Sequence, residues 1–483
     1  MARRVRLCDQ YIGLACHPGR ASKRRGGLSR ILGEEKRRDF SHRRKQAVLG
    51  FRLAQHRLFR PVRSKLAKNL GQTREEASAC VPLTARLYLP MTHQERPQGG
   101  KCRNSTALMK LLAVDIGTGT QDILLFDTER EVENCLKLVM PSPTLQLANA
   151  VRSATQGGDD ILLSGVQMGG GPCVWAVRDH LRAGYRVYAT PDAARTFDDD
   201  LEQVRAMGIT LVSQDEALTM AQPVIRLHMG DFNYQAILGA FARFGVRLDR
   251  ELDGLAVAVF DHGNAPPGVS DRLFRFEYLA AQVRATNRLS AFAYSPEALP
   301  VAFTRLAAVA SCLPQRDWPA LLMDSAPAAV LGTLEDPVVR DTRPLMVLNV
   351  GNFHSLAFRL GQEGIEGLFE HHTGELTVAQ LDDLLEGLAA GSLTHQQVFD
   401  SNGHGAFLLS TQAIPPQQRR LAVVGPRRSM LRTSRHAPYF AVPFGDMMMA
   451  GCYGLVRAFA DVYPESSPAI QAALAGGRNR SLW

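Results

Sequence analysis

The sequence predicts an α/β protein of two related halves, and three observations carry that prediction. An apolar run, a glycine turn and a second apolar run occupy residues 111–127, LLAVDIGTGTQDILLFD. The same grammar returns at residues 345–360, LMVLNVGNFHSLAFRL. Between the two, short apolar segments alternate with helical ones, the pattern of parallel strands with covering helices. Two such hairpins far apart in one chain point to two similar half-structures that close on a ligand from opposite sides.

The chain has 483 residues, 45% of them hydrophobic, which is enough for two or three domains with cores of their own. Its net charge of +9 conceals a division. The first 110 residues hold 26 Lys and Arg against 7 Asp and Glu, and the rest hold 30 against 40, so a boundary falls near residue 108. Residues 1–108 contain Arg-rich bursts (Lys23–Arg25, Lys36–Arg38, Arg43–Lys45) and no sustained period, a composition expected to stay disordered. Three readings stand for it: a basic arm that would make nucleic acid a partner, an organellar transit peptide, or translated non-coding sequence ahead of a true start at Met109. The last is preferred because MKLLAVDIGTGT opens on the edge of the first strand.

No apolar run reaches the length of a membrane span, and no apolar leader opens the chain, so a cytoplasmic protein with no membrane partner is expected. The eight cysteines, Cys8, Cys16, Cys80, Cys102, Cys135, Cys173, Cys312 and Cys452, are scattered singly. That spacing supports neither a zinc cluster nor the iron–sulfur cluster of a radical activase.

In the first hairpin the turn is Gly117, Thr118, Gly119 and Thr120. Its glycines permit positive φ and leave backbone amides free to converge on a phosphate. Asp115, at the end of the strand before the turn, stands where a carboxylate can hold a hydrated Mg²⁺ against that phosphate. In the second hairpin Asn349 falls on Asp115 and Gly351 on Gly117, with Asn352 and His354 in the polar turn. An ordinary hairpin turn is the plain alternative for each.

Beyond the first hairpin, a strand at residues 161–163 runs into Gly169, Gly170 and Gly171, and Pro172 opens a helix continuing to Leu181. Such a turn serves either an anion at a helix start or close strand-to-helix packing. It is neither a Walker sequence nor a dinucleotide fingerprint. Several later strands finish at an acid: Asp231, Asp261 and Asp324. Ligands collect at the carboxyl ends of strands in open α/β sheets, so these are candidates for magnesium or general-base duty. The competing role is to cap a turn or helix. His371 and His372 lie in a turn before the helix 378–388, and His404 lies in a later loop. Metal ligation, substrate hydrogen bonding and plain turn histidines all remain open for them, although adjacent His371 and His372 should point in different directions. Asp446 is placed as the N-cap of a helix carrying Ala450, Gly451 and Gly454, and the chain from Pro464 is expected to fray.

The paired hairpins resemble phosphate motifs one and two of the actin-like ATPase superfamily, which includes sugar and acetate kinases, heat-shock chaperone ATPases and actin. DSAPAAVLG (324–332) resembles the connecting segment before the second hairpin. LAVVGPRRSM (421–430) resembles the adenosine motif at Gly425, with Pro426 in place of the second glycine, and Arg427 and Arg428 are alternative phosphate partners. Residues from about Met109 to Pro464 also resemble a prokaryotic family labelled pyruvate formate-lyase activating enzyme-like, a label that says little about chemistry.

The resemblance implies two actin-like, ribonuclease H-like halves around a nucleotide cleft, at 109–336 and 337–483. ATP and Mg²⁺ are the implied cofactors, with the phosphates clasped by Gly117–Thr120 and Gly351–His354. Asp115 would orient the metal through water, and Asp261 or Asp324 would serve as base. It further implies phosphotransfer to a small molecule or, as alternatives, an ATPase that activates a partner enzyme or a catalytically silent ligand-binding scaffold; an oligomer is open. Asn349 departs from the acid usual in the second motif and places hydrolysis in more doubt than binding.

Overall fold

The computed structural model describes residues 108–266 and 268–476. The basic extension up to residue 107, with Cys8, Cys16, Cys80 and Cys102, lies outside them, as does the tail from 477.

Two six-stranded sheets share one plan. The first contains β1 (Lys110–Ile116), β2 (Thr120–Asp127), β3 (Leu136–Pro141), β8 (Gly254–Val259), β9 (Ala293–Tyr294) and β10 (Ala320–Asp324), in the order β3-β2-β1-β8-β10-β9. The second contains β11 (Leu345–Val350), β12 (His354–Gly361), β13 (Gly364–His372), β14 (Gly405–Leu408), β15 (Leu421–Val424) and β16 (Tyr439–Phe440), in the order β14-β13-β12-β11-β15-β16. With β9 and β14 set aside, each sheet is a three-stranded antiparallel meander joined through its first strand to two parallel strands. A third, parallel sheet of β4 (Asp160–Gly165), β5 (Val187–Ala189), β6 (Ile209–Leu211) and β7 (Val224–Met229) is inserted between β3 and β8.

The alternation along β1 explains how the first sheet is covered. Leu111 and Ala113 face a core shared with Phe358, Tyr453 and Phe459, whereas Leu112, Val114 and Ile116 face Ile237, Phe241 and Leu306. Period-2 side-chain direction thus divides one apolar run between two cores, and the first of these continues into the second half. The inserted sheet has its own core around Ile161, Leu163, Val177 and Val187.

The small-residue helices pair with each other. In Ser325–Thr333 and Ala450–Val462, a Cβ on Gly332 would fall 1.8 Å from the Ala450 carbonyl oxygen, and one on Gly454 would fall 1.8 Å from that of Ala328. Only glycine permits backbones this close. The helix Ala450–Val462 also lies against β1, β2 and β8, so the last long helix of the chain ties the second half to the first.

Two expectations need correction. The chain from Pro464 does not fray at once: Ser467–Leu474 is a helix that buries Ile470, Ala473 and Leu474. Asp446 is not the N-cap of Ala450–Val462. That position is Met449, and the Asp446 carboxylate instead accepts from the Met448 amide one turn earlier.

Candidate functional site

The two hairpin turns are closed by the same hydrogen bond. The Gly117 amide donates to the Thr120 carbonyl at 2.9 Å, and the Gly351 amide donates to the His354 carbonyl at 2.9 Å. Asp115 pairs across its hairpin with Asp122, and Asn349 with Leu356, each being the penultimate residue of its strand. The equivalence read from the sequence is therefore one of backbone geometry. Gly117, Thr118 and Thr120 line one crevice together with Asn349, Gly351, Asn352 and Gly425, and Asp115 and Asp122 lie in its wall.

The crevice holds about 90 Å³. That is room for a hydrated cation or a phosphate group rather than for a whole nucleotide. The acids at its base fit a cation. Burial pushes the Asp115 carboxyl up to about 7, although the Ser325 hydroxyl, donating to it at 2.6 Å, works against the shift. Burial, reinforced by the Asp115 charge, pushes Asp122 up to about 8, and one of its oxygens is buried with no partner. Two desolvated carboxylates with an orphan oxygen are the donor set that a hard cation satisfies.

The candidate bases have different fates. Asp324 caps Ser325–Thr333 by accepting from the Ala326 amide, and it also accepts from the fully buried Arg275 at 2.6 Å. Arg275 in turn donates to both oxygens of Glu370, at 3.0 and 3.1 Å. Capped by an amide and paired with a buried guanidinium, Asp324 holds a structural role at this strand end. Asp231 is likewise structural: it accepts from the Gly169 amide and pairs with Arg305 at 2.7 Å, and so holds the triple-glycine turn in place. Asp261 accepts from the Gly263 and Leu306 amides, yet burial raises its carboxyl, and it lines a second, larger space.

That space is a cavity of about 1040 Å³ beside the crevice. Its wall includes Gly169, Gly170, Gly171, Trp175, Asp261, His262, Arg272, Phe353 and His354. The sequence carried a signal for the triple glycine. It carried none for the cavity itself, which joins the inserted sheet to both halves. Trp175 and Phe353 meet here with ring centroids 5.6 Å apart. Thr118 lines both spaces.

His354 departs from its expected place. Its backbone closes the second turn, but its ring stacks on Phe260 at 4.1 Å and faces the cavity, so it does not reach the phosphate crevice. Around it gather His262, His372 and His404. His371 points the other way, its ring bonded to the Ser401 carbonyl and hydroxyl and to the His372 carbonyl, so the adjacent pair does diverge. Both ring nitrogens of His404 and Nε2 of His354 are buried without a hydrogen-bond partner, a situation that costs about 1–3 kcal/mol per group.

On the adenosine side, Gly425 has φ 101°, and a Cβ there would fall 2.5 Å from the Asn349 side-chain oxygen. Glycine is required at this position whether or not a purine binds. Arg428 donates to the Ala441 carbonyl and lies near the Phe440 ring, which turns it away from a phosphate role.

Two ribonuclease H-like halves whose glycine hairpins meet in one crevice define the actin-like fold, and this chain has it. More specifically, the chain belongs to the family described as "Putative pyruvate format-lyase activating enzyme (DUF1786)", which it matches over residues 168–430. No curated protein matches it in sequence. Among solved structures it is similar to the ethanolamine utilization protein EutJ from Carboxydothermus hydrogenoformans (12% identity, 73% of this chain and 90% of that one, TM-score 0.24). It is also similar to a diol dehydratase-reactivating factor (11%, 73% and 100%, TM-score 0.24) and to a carbohydrate kinase from Novosphingobium aromaticivorans (12%, 74% and 88%, TM-score 0.21). Among the described residues no helix is long and apolar enough to cross a membrane.

Proposed function

We propose that the protein binds ATP with Mg²⁺ at the crevice and transfers phosphate to a small molecule held in the adjoining cavity. The observation that carries this reading is Thr118, which sits in the first glycine turn and lines both spaces. A group held by the turns therefore faces a compartment large enough for a metabolite. Bound there, ATP–Mg²⁺ supplies the transferable phosphoryl group and the positive charge that neutralises it.

The chain's own residues do the rest. Gly117 to Thr120 and Gly351 to Asn352 hold phosphates from opposite sides, and Asp115 and Asp122 hold the hydrated metal. Asp261, its carboxyl raised by burial and fixed by two amides, accepts the proton of an attacking hydroxyl in the cavity. Parting of the halves about the Gly332–Gly454 contact admits the nucleotide, and closing excludes water from the transferred group.

A second reading, an ATP-binding switch for a partner enzyme or a silent scaffold, is favoured by one observation. Asn349 places a neutral amide at the position equivalent to Asp115. A second carboxylate there would bring charge to the metal; the amide brings none.

Thermal unfolding with ATP–Mg²⁺, ADP–Mg²⁺ and ATP in chelator tests the binding, with Asp115→Ala beside the native chain. Saturating ligand at about 100-fold over its dissociation constant stabilises by about 2.7 kcal/mol, and the magnesium-dependent part is expected to vanish in the variant. Equal shifts in both proteins would remove the metal from Asp115. ADP formation that requires an added metabolite and leaves the phosphoryl group on it favours transfer; ADP and inorganic phosphate formed without one favour the switch.

A further inference from the structure

We propose that His262, His354 and His404 form a site for a divalent transition metal, zinc first among them, in the wall of the large cavity. One ring nitrogen from each lies within 4.8 Å of the others. The three come from separate places: His262 follows β8, His354 opens β12, and His404 precedes β14. Both halves of the molecule thus contribute, and the site exists only when they are assembled.

The rings are ready to ligate. Both nitrogens of His404 and Nε2 of His354 lack any hydrogen-bond partner in a buried setting, and a metal supplies the missing partner. Burial, with nearby Arg275 repelling a proton, holds His354 and His404 well below the ordinary imidazole range and His262 at about 3. All three are therefore neutral, the form that binds metal. A cation is also tolerated electrostatically. Arg275, whose charge acts on all three rings, is itself paired with Asp324 and Glu370, which offsets its repulsion of a cation. Glu370 approaches to 3.9 Å from His404 Nδ1, and buried carboxylates behind ligand histidines orient the rings.

The donor set selects the metal. Imidazole nitrogens favour zinc, copper, nickel and iron over magnesium and calcium, which prefer oxygen. Ligands about 2.0–2.1 Å from zinc lie about 3.3 Å from one another in a tetrahedron, so small ring rotations complete the site. His262 and His354 line the cavity, so a metal held by the three rings would lie at its wall, within reach of a molecule in the cavity. Three protein ligands with an open position form a catalytic rather than a structural arrangement, able to polarise a substrate oxygen or activate water. The site is independent of the nucleotide reading: it would stand if the crevice bound nothing.

The test loads the full chain with Zn²⁺ or Co²⁺ without nucleotide, removes loosely held metal, and measures metal per chain and the visible spectrum of the cobalt form. The expected result is about one metal per chain with an intense tetrahedral cobalt band. His404→Asn and His354→Gln should each weaken retention by more than about 100-fold, beyond the cost of losing a supporting residue, while His371→Gln leaves it unchanged. His262→Ala, at the cavity wall where its side chain is only partly enclosed, provides a variant less exposed to misfolding and should show the same loss. Metal below about one-tenth per chain in the native protein overturns the proposal, as does unchanged retention in folded His262→Ala.

Discussion

Gly119, in the turn of the first hairpin, lies against Asn352 in the turn of the second: a Cβ built on Gly119 would come 2.6 Å from the Asn352 amide nitrogen. Two turns distant along the chain therefore touch across the crevice. Gly119→Ala should displace the Asn352 side chain and spread the turns. Because only a side-chain end must move, stability should change by less than about 1 kcal/mol. Affinity for ATP–Mg²⁺, measured by titration calorimetry, should fall by about tenfold or more. Unchanged affinity would mean that phosphates do not bind between the turns.

Gly332→Ala and Gly454→Ala meet backbone instead of a mobile side chain. Each added Cβ would sit 1.8 Å from a carbonyl oxygen of the facing helix. Each change should cost about 3 kcal/mol or more in chemical denaturation, because neither helix can retreat without opening the core that joins the halves. A loss below about 1 kcal/mol in either variant would show that the helices are not in backbone contact.

The Arg275 network predicts a different failure. Arg275→Met strips the cation from Asp324 and Glu370, both buried. Leaving buried charge unpaired typically costs about 3–5 kcal/mol. The triple change Arg275→Met, Asp324→Asn, Glu370→Gln should recover much of that loss, since no uncompensated charge remains. Denaturation curves for the two proteins check it, and equal destabilisation would argue against charge as the cause.

The crevice acids set a pH dependence. Asp115 and Asp122 have folded values of about 7 and about 8, raised chiefly by burial above an ordinary 3.8. The folded state then holds protons that the unfolded state has released, so this contribution to stability is complete below about pH 4 and is lost as pH rises through 7–8. Melting temperatures without metal should fall between pH 5 and 9. The double variant Asp115→Asn, Asp122→Asn should lack that part of the slope. Mg²⁺ should restore the native protein at pH 8.5 and do little at pH 5; a magnesium effect equal at both values would exclude these carboxylates as its site.

How much was legible follows from the range over which each feature acts. The hairpins, their strand-end residues and the matching of Asn349 with Asp115 could be read directly, because period-2 alternation and turn glycines are written in neighbouring residues. The triple-glycine turn and the small-residue helices were visible as motifs, but not what they touched. Nothing in the sequence distinguished Arg275 from Arg272 and Arg284 of its own helix, so the pairing of Asp324 was invisible. The histidine cluster left one trace, the repeated His-Gly at 262–263 and 404–405, while the adjacent His371 and His372 drew attention to a residue that faces away.

The sequence by itself determined the two strand-and-turn repeats, the acids at the strand ends and the break in charge near residue 108, since each depends on local pattern or on composition. Tertiary structure alone decided that the glycine turns share a crevice, that Thr118 joins it to a cavity, that Asp324 is spent on Arg275 and that three distant imidazoles converge. Those outcomes depend on distances between residues far apart in the chain, and such distances exist only once the apolar faces of both halves are buried against each other.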